Sequence, residues 1–440
     1  MEKSSEINVP EKLVIQLREH ESLKCTDYIK SLNISFKDTD YEGEPKYMGI
    51  TPDMVASYYI GVDWLKIGEK AVAVLPKMDD VDYNEMLIDA LEFSPSSEYF
   101  SKFYGINFEK PFIKTDCLNG KLTSLVIVHY LYVIKQLLSI GLRHSYIEQT
   151  ENLKSKMKGK ILMGQHIMTN IIPKREERVM CLYQDYSVDT PENRLLKKAL
   201  IFSKRALETK QLKNLDKLTN GIKKALVSFN NVSDEISLYE VKHISRNKIY
   251  KYYGEAIRLA KLILRRYDYA IDKIENQENT PPFWIDMSRL YEVYVYTKLY
   301  KVYNNTIKFQ VPGHCRTAAD FIKTDENLVI DTKYKPRFNF GNKRIIDDIR
   351  EISGYARDQK ILKYFEGRGK GQSPNCLIIY PFVSPDSEEE DRNQEDGIII
   401  KNKCFDGSKP LCCENNVIKG FEGFYKLAIE LPKKNKKQAE

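Results

Sequence analysis

The stretch RTAADFIKTDENLVIDTKYKPR (residues 316–337) decides the reading of the C-terminal third of the chain. TDEN (324–327) is turn material, and the apolar run behind it ends on the carboxylate of Asp331, the pattern of a strand that follows a turn. Asp331 and Lys333 are two residues apart, so on a strand both side chains leave the same face. Asp320 lies on the run before the turn, and a hairpin folded at 324–327 brings it beside Asp331. Two carboxylates and an ammonium at one end of a sheet suit a hard cation. Mg2+ takes one or two carboxylates and fills its other positions with water and phosphate oxygens. Such an ion polarises a phosphodiester and lowers the pKa of water. Lys333 is then placed to position or deprotonate that water and to offset charge building on the phosphate. Without a cation the two carboxylates repel.

An acidic residue two before a lysine is common in this chain: Glu44/Lys46, Glu208/Lys210, Glu240/Lys242 and Asp358/Lys360 all fit. A surface hairpin with an incidental Asp–Lys pair accounts for the same letters. Only the 320/331/333 set adds an upstream Asp, a turn, an apolar run and flanking helices. Working outward, helix 286–303, strands within 306–334, helix 344–364 and strand 376–383 follow one another, an α-β-β-α-β order that predicts an α/β domain with a central mixed sheet. On the first helix Glu292 shares a side with Val295, Tyr296 and Leu299, a costly place for a carboxylate unless it is paired or metal-bound. On the second, Ile345, Ile349, Ile352 and Ala356 form a core stripe. Asp348, Glu351 and Tyr355 form a polar one, which faces either the active site, DNA or solvent. EGRGKGQS (366–373) reads as a basic, glycine-rich loop.

Upstream of the Pro-containing break NQENTPPF (276–283), the pattern changes. Residues 10–110 read as β-rich, with strand, turn and strand across 57–77 and Gly68-Glu69 at the turn. Residues 120–145 read as a buried helix and 158–183 as a long hairpin. DTPENRLLKKAL starts a helix, with Thr190 as N-cap and Pro191 at the first helical position. Helical patterns continue to about 275, interrupted by a β-like stretch at 236–245. The expected fold class is α+β multidomain: an N-terminal β-rich domain (1–110, the expected partner-binding part), a mainly helical basic middle (111–280), and a C-terminal α/β domain (281–440).

Composition narrows the function. With 42% hydrophobic and 30% charged residues, 440 residues form a globular chain of about three domains. No apolar run is long enough for a membrane span, and the polar N-terminus carries no secretory signal. The eight cysteines show no C-x-x-C, and the six histidines are scattered. Structural zinc is therefore unsupported, and reduced thiols in the cytoplasm are expected. Residues 151–270 hold 25 basic and 13 acidic residues, while the whole chain is only +7. Such a basic middle suits a polyanion, or is simply a lysine-rich helical surface. No G-x-x-x-x-G-K-[ST] occurs, so no NTPase motor is expected in this chain.

AADFIKTDENLVIDTKYK, followed by DIREISGY and CLIIYPF, resembles the PD-(D/E)XK nuclease domain of McrC proteins, the nuclease subunits of McrBC modification-dependent restriction systems. GKILMGQHI and CLYQDYSVDTPENRLLKKAL are similar to the family's central segment, and LREHE (17–21) and AVLPK (73–77) to its N-terminal region. The resemblance implies Asp320 and Asp331 as metal ligands for Mg2+ and Lys333 as the catalytic lysine. Glu292 sits on a helix that often offers a further acidic residue. The family's Q-x-x-x-Y stands here as Glu351 and Tyr355, implying DNA or active-site support. Ala319 replaces the family's proline. DNA as substrate and an McrB-like AAA+ GTPase hexamer as partner are implied, with recognition of 5-methylcytosine-type modification and stimulation of GTP hydrolysis. The alternatives are an assembly factor with a degenerate nuclease fold, and a stand-alone DNA nuclease.

Overall fold

The computed structural model describes residues 14–23, 38–39, 45–46, 50–78, 80–92, 104–107, 110–115, 121–209, 215–238, 240–241, 251–271, 279–315, 317–335, 343–365, 373–383, 404–405, 407 and 410–434. The chain forms two compact units, Met1–Leu122 with Glu275–Glu440, and Thr123–Ile274.

Alternating and continuous apolar runs build the first sheet. Strand β1 (Val14–Arg18) runs parallel to β3 (Lys70–Leu75), which pairs antiparallel with β2 (Tyr59–Lys66). Gly68, at φ 79°, forms the expected β2–β3 turn. Seven of the eight β2 residues are buried, as expected of a strand covered on both faces. Helix α1 (Tyr83–Glu92) and the short β4 (Tyr104–Ile106) follow.

In the second unit, helix α2 (Lys121–Ile140) is apolar and largely buried from Val126 on. β5 (Ser145–Lys154) and β6 (Arg178–Ser187) pair antiparallel along their whole length. The hairpin expected at 158–183 is therefore misplaced: its first strand is 145–154, and most of 158–177 connects the two. Lys160 and Ile161 pair with β6, but Met163–His166 is helical and runs into a π-helical turn at Ile167–Ile171. Met163, Ile167 and Ile171 recur every four residues, a helical spacing hidden among neighbouring apolar letters. Asn170 fixes this turn to β5 through reciprocal amide hydrogen bonds with Asn152 of 2.8 and 2.9 Å. Helix α3 (Pro191–Thr209) starts as expected, with Thr190 Oγ1 accepting from Asn193 N at 3.2 Å. Helices α4 (Leu215–Ser228) and α5 (Lys251–Ile271) complete the unit. The β-like stretch at 236–245 forms no strand among its described residues. Glu240 closes a turn there by accepting from Ser237 N at 2.7 Å. Its remainder, 242–245, lies outside the described residues.

After residue 279 the chain adds β7 (Phe283–Asp286) to the first sheet, antiparallel between β2 and β4. Asp286 then caps helix α6 (Met287–Tyr303) by accepting from Arg289 N at 3.1 Å. The second sheet has the order β8 (Ile307–Pro312), β9 (Ala318–Lys323), β10 (Leu328–Thr332), β11 (Asn375–Phe382), β12 (Phe424–Glu430). β8, β9 and β10 are antiparallel, whereas β11 runs parallel to both β10 and β12. Helix α7 (Lys343–Tyr355) packs Ile349 and Ile352, with Ala356 just beyond, onto Val329, Cys376 and Ile378. The side chain of Ile345 lies outside the described residues. The single helix expected over 344–364 breaks at 356–358, where Asp358 accepts from Lys360 N (2.8 Å) and His314 N (2.6 Å) and starts a new turn. The chain is thus α+β, with the expected central mixed sheet and one strand more, β12. Among the described residues no helix is long and apolar enough to cross a membrane.

Candidate active site

β9 and β10 pair with Phe321 opposite Ile330 and Lys323 opposite Leu328. One further step in that register sets Asp320 against Asp331. Hairpin and register thus bring together the two carboxylates that the spacing singled out. Both amide and hydroxyl of Thr332 donate to Asp320 Oδ2, at 2.7 and 2.6 Å. Asp331 is 3% exposed. Its Oδ2 lies 3.0 Å from Lys333 Nζ, yet that contact is not aligned as a hydrogen bond and the buried oxygen has no hydrogen-bond partner. Lys333 Nζ donates instead to Glu351 Oε2 at 2.6 Å, and Tyr355 OH donates to Glu351 Oε1 at 3.0 Å. The polar stripe of α7 therefore faces the strand end: Glu351 and Tyr355 converge on Lys333, and Asp348 pairs with Lys335 Nζ at 2.7 Å.

Glu292 comes from α6. It is buried, and its Oε1 accepts from Gln310 Nε2. Gln310 lies across from Asp320, between the pairs Phe309–Phe321 and Val311–Ala319, in left-handed backbone at φ 49°. Burial and then the charge of Glu292 push Asp320 up to about 7, against the Thr332 hydrogen bonds and Lys333. Burial pushes Asp331 well above the usual carboxylate range; Lys333 opposes this, and Asp320 and Glu351 add to it. For Lys333, burial disfavours the ammonium, but Asp331 and Glu351 more than offset it and raise its pKa. Burial, then Glu351, holds the Tyr355 hydroxyl protonated.

Asp331 and Glu351 thus flank Lys333, Glu292 bears on Asp320, and the buried Asp331 Oδ2 has only the ion-pair contact of Lys333. A small divalent cation answers both features. Among the described residues no group of three or more His, Cys, Asp or Glu side chains is placed to hold a metal ion, so the fit is to two carboxylates, the number Mg2+ accepts. The glycine-rich loop lies outside the described residues from 366 to 372.

Thr332 and Gln310 were not anticipated from the sequence. Thr332 is the middle residue of Asp-Thr-Lys and could have been read as a donor to a neighbouring carboxylate. Gln310 carries no signal, because its left-handed backbone breaks the strand alternation.

A model of the family described as McrBC 5-methylcytosine restriction system component matches residues 55–345, about two thirds of the chain. The chain belongs to the McrBC family. The McrBC match runs from β2 through β10 and so contains Glu292, Asp320, Asp331 and Lys333 but not Glu351 or Tyr355. Among solved structures, a half-complex from a tetradecameric assembly of Thermococcus gammatolerans McrB AAA+ hexamers with bound McrC matches at 14% identity and a TM-score of 0.38, covering 95% of this chain and 94% of that one. A cryo-electron microscopy structure of the Thermococcus gammatolerans McrBC complex matches at 14% identity and a TM-score of 0.30, covering 65% and 87%. No curated protein matches.

Proposed function

We propose that this chain is an McrC-type subunit: a Mg2+-dependent DNA endonuclease that cuts when engaged by an McrB-like AAA+ GTPase hexamer, stimulates GTP hydrolysis, and acts on 5-methylcytosine-type modified DNA in the cytoplasm. The observation that carries the reading is Asp331. Its Oδ2 is buried without a hydrogen bond, beside Asp320 and 3.0 Å from Lys333. Asp320 and Asp331 would hold the metal. A bound Mg2+ supplies Lewis-acid polarisation of the phosphodiester and a lowered pKa for water.

The remaining work falls to side chains of this chain. Thr332 holds the Asp320 carboxylate in place from both its amide and its hydroxyl. Lys333, kept as an ammonium, donates toward the phosphate or the attacking water and offsets charge in the transition state. This favours an electrostatic role for Lys333 over that of a base. Glu351, itself held by Tyr355, restrains the lysine through the 2.6 Å contact. Water adds to phosphorus, the ester P–O bond breaks, and a phosphate end and a hydroxyl end are left.

The test is cutting of methylated DNA by the full chain with its GTPase partner, GTP and Mg2+. Asp331→Ala and Lys333→Ala should each lose about 100-fold or more in rate while circular dichroism stays that of the wild type. Wild-type cutting by both would overturn the site. GTP turnover without scission by the wild-type protein would leave an assembly factor, and cutting by the isolated chain a stand-alone nuclease.

A further inference from the structure

Two N-terminal motifs, LREHE (17–21) and AVLPK (73–77), have no part in the site so far. In the fold they meet. β1 and β3 run parallel with Arg18 opposite Leu75, so Glu19 and Lys77 leave the same end of the first sheet. Glu19 Oε2 accepts from Lys77 N at 2.9 Å, and Oε1 lies 3.9 Å from Lys77 Nζ. The Glu19 side chain is 0% exposed and that of Lys77 10%. The ammonium then reaches the second sheet: Lys77 Nζ donates to Tyr334 O at 2.6 Å and lies 3.8 Å from the centroid of the Tyr334 ring. That ring also packs on Tyr291 at 5.6 Å between centroids, and its hydroxyl lies 3.4 Å from that of Tyr83.

Tyr334 is the residue after Lys333. β10 ends at Thr332, and the segment beyond it is held by individual bonds: Lys333 N donates to Ile379 O (2.8 Å), and Lys335 N to Lys333 O (2.7 Å). Lys335 Nζ pairs with Asp348, and Lys77 holds the Tyr334 carbonyl. A side chain is aimed only as well as its backbone is fixed, and misplacement of a reacting group by about 1 Å can cost 100-fold in rate. A buried ion pair is also poor value for stability alone, since apolar side chains of similar volume often do as well or better. Here the pair supplies what an apolar pair cannot, a directed donor to a buried carbonyl.

We infer that Glu19 and Lys77 are positioning residues for Lys333: they form a latch from the first sheet that fixes the Lys333–Tyr334 backbone and so sets the amine between Asp331 and Glu351. The inference rests on the nuclease reading of the site. The latch makes cutting depend on the N-terminal sheet although no N-terminal side chain enters the chemistry. The ammonium faces Glu19 at the end of β1, and Tyr334 and Lys335 after β10. Burial lowers the pKa of Lys77 to about 8, Glu19 opposing and Lys335 adding to the shift. The latch is therefore cationic at neutral pH and loses its charge as pH rises past 8, whereas an arginine in its place would stay charged.

The experiment uses the full chain with its GTPase partner, GTP, Mg2+ and methylated DNA. It compares the wild type with Glu19→Gln/Lys77→Met, Lys77→Arg and Asp331→Ala. The double variant leaves no lone buried charge. Its kcat should fall about tenfold or more, with the KM for DNA unchanged. With each rate divided by its own value at pH 7, the wild type should fall relative to Lys77→Arg with a midpoint near pH 8. Double-variant cutting within about twofold of wild type, beside an inactive Asp331→Ala, would overturn the latch and leave the site standing. Wild-type cutting by Asp331→Ala would overturn the site reading itself. Should the double variant not fold by circular dichroism, the pH comparison decides: a flat wild-type to Lys77→Arg ratio from pH 7 to about 9.5 refutes the inference.

Discussion

Replacing Thr332 by Val tests the metal reading at its most sensitive point. Val keeps the shape of Thr and removes the hydroxyl that donates to Asp320 Oδ2 at 2.6 Å, while the amide bond at 2.7 Å remains. A hydrogen bond to a charged group contributes about 1.5–3 kcal/mol. At 1.36 kcal/mol per pH unit, its loss moves proton release by Asp320 upward by about one to two pH units. Burial and Glu292 already push Asp320 up to about 7, so a further rise of this size leaves a much smaller ionised fraction at neutral pH. A metal that binds the ionised form then binds roughly tenfold more weakly at pH 7. The deficit should shrink at pH 9, where both proteins are more fully ionised. The assay is calorimetric titration with Mg2+ at the two pH values, with cutting rates beside it. Equal Mg2+ affinity at pH 7, or a deficit that does not narrow at pH 9, would refute the reasoning.

Three further outcomes are expected. His129 is 0% exposed, and burial, with Glu255 opposing and Arg258 adding, lowers its pKa to about 4. The folded form is thus neutral, and stability is full above about 6.5 and lost as pH falls toward 4, by about 3 kcal/mol. Denaturant unfolding at pH 7 and pH 4.5 should show a loss about 2 kcal/mol larger in the wild type than in His129→Leu, since the other titrating groups are common to both. Asn193→Ala removes donors to Arg143 O (2.9 Å) and Val188 O (2.7 Å) and the acceptor of Tyr253 OH (2.7 Å). It should cost about 2–4 kcal/mol, read as a lower midpoint in urea. Gly61→Ala places a Cβ 2.0 Å from Phe283 O at φ +152°; a loss of about 3 kcal/mol is expected, and an unchanged thermal midpoint would contradict the β2–β7 packing.

The parts of the fold legible in the sequence are those in which neighbours in the chain are also partners in space. Asp320, the 324–327 turn and Asp331 form one hairpin, so their meeting follows from local spacing. The Thr190 cap and the β2–β3 turn are local in the same way. What escaped the reading depends on distant partners. β7 is four residues long and declares itself only by fitting between β2 and β4. β5 was missed because SYIEQTENLK is polar, its pairing with β6 carried by backbone rather than by an apolar face. Glu292 was readable as a buried carboxylate but not as the partner of Gln310, which a left-handed residue aims at it. Glu19 and Lys77 stand out as letters, and only the parallel β1–β3 register brings them to Tyr334.

The place of β7 has a bearing on how the protein is made. The first sheet has a vacancy between β2 and β4 until Phe283–Asp286 arrive, long after the ribosome has finished both neighbours. Those neighbours expose unsatisfied backbone edges in the meantime, a standing invitation to wrong pairing. The intervening Thr123–Ile274 unit can assemble while they wait. A fragment stopped anywhere before residue 286 should therefore aggregate rather than yield a soluble N-terminal piece, and a cut-down version must keep the β7 segment to be well behaved.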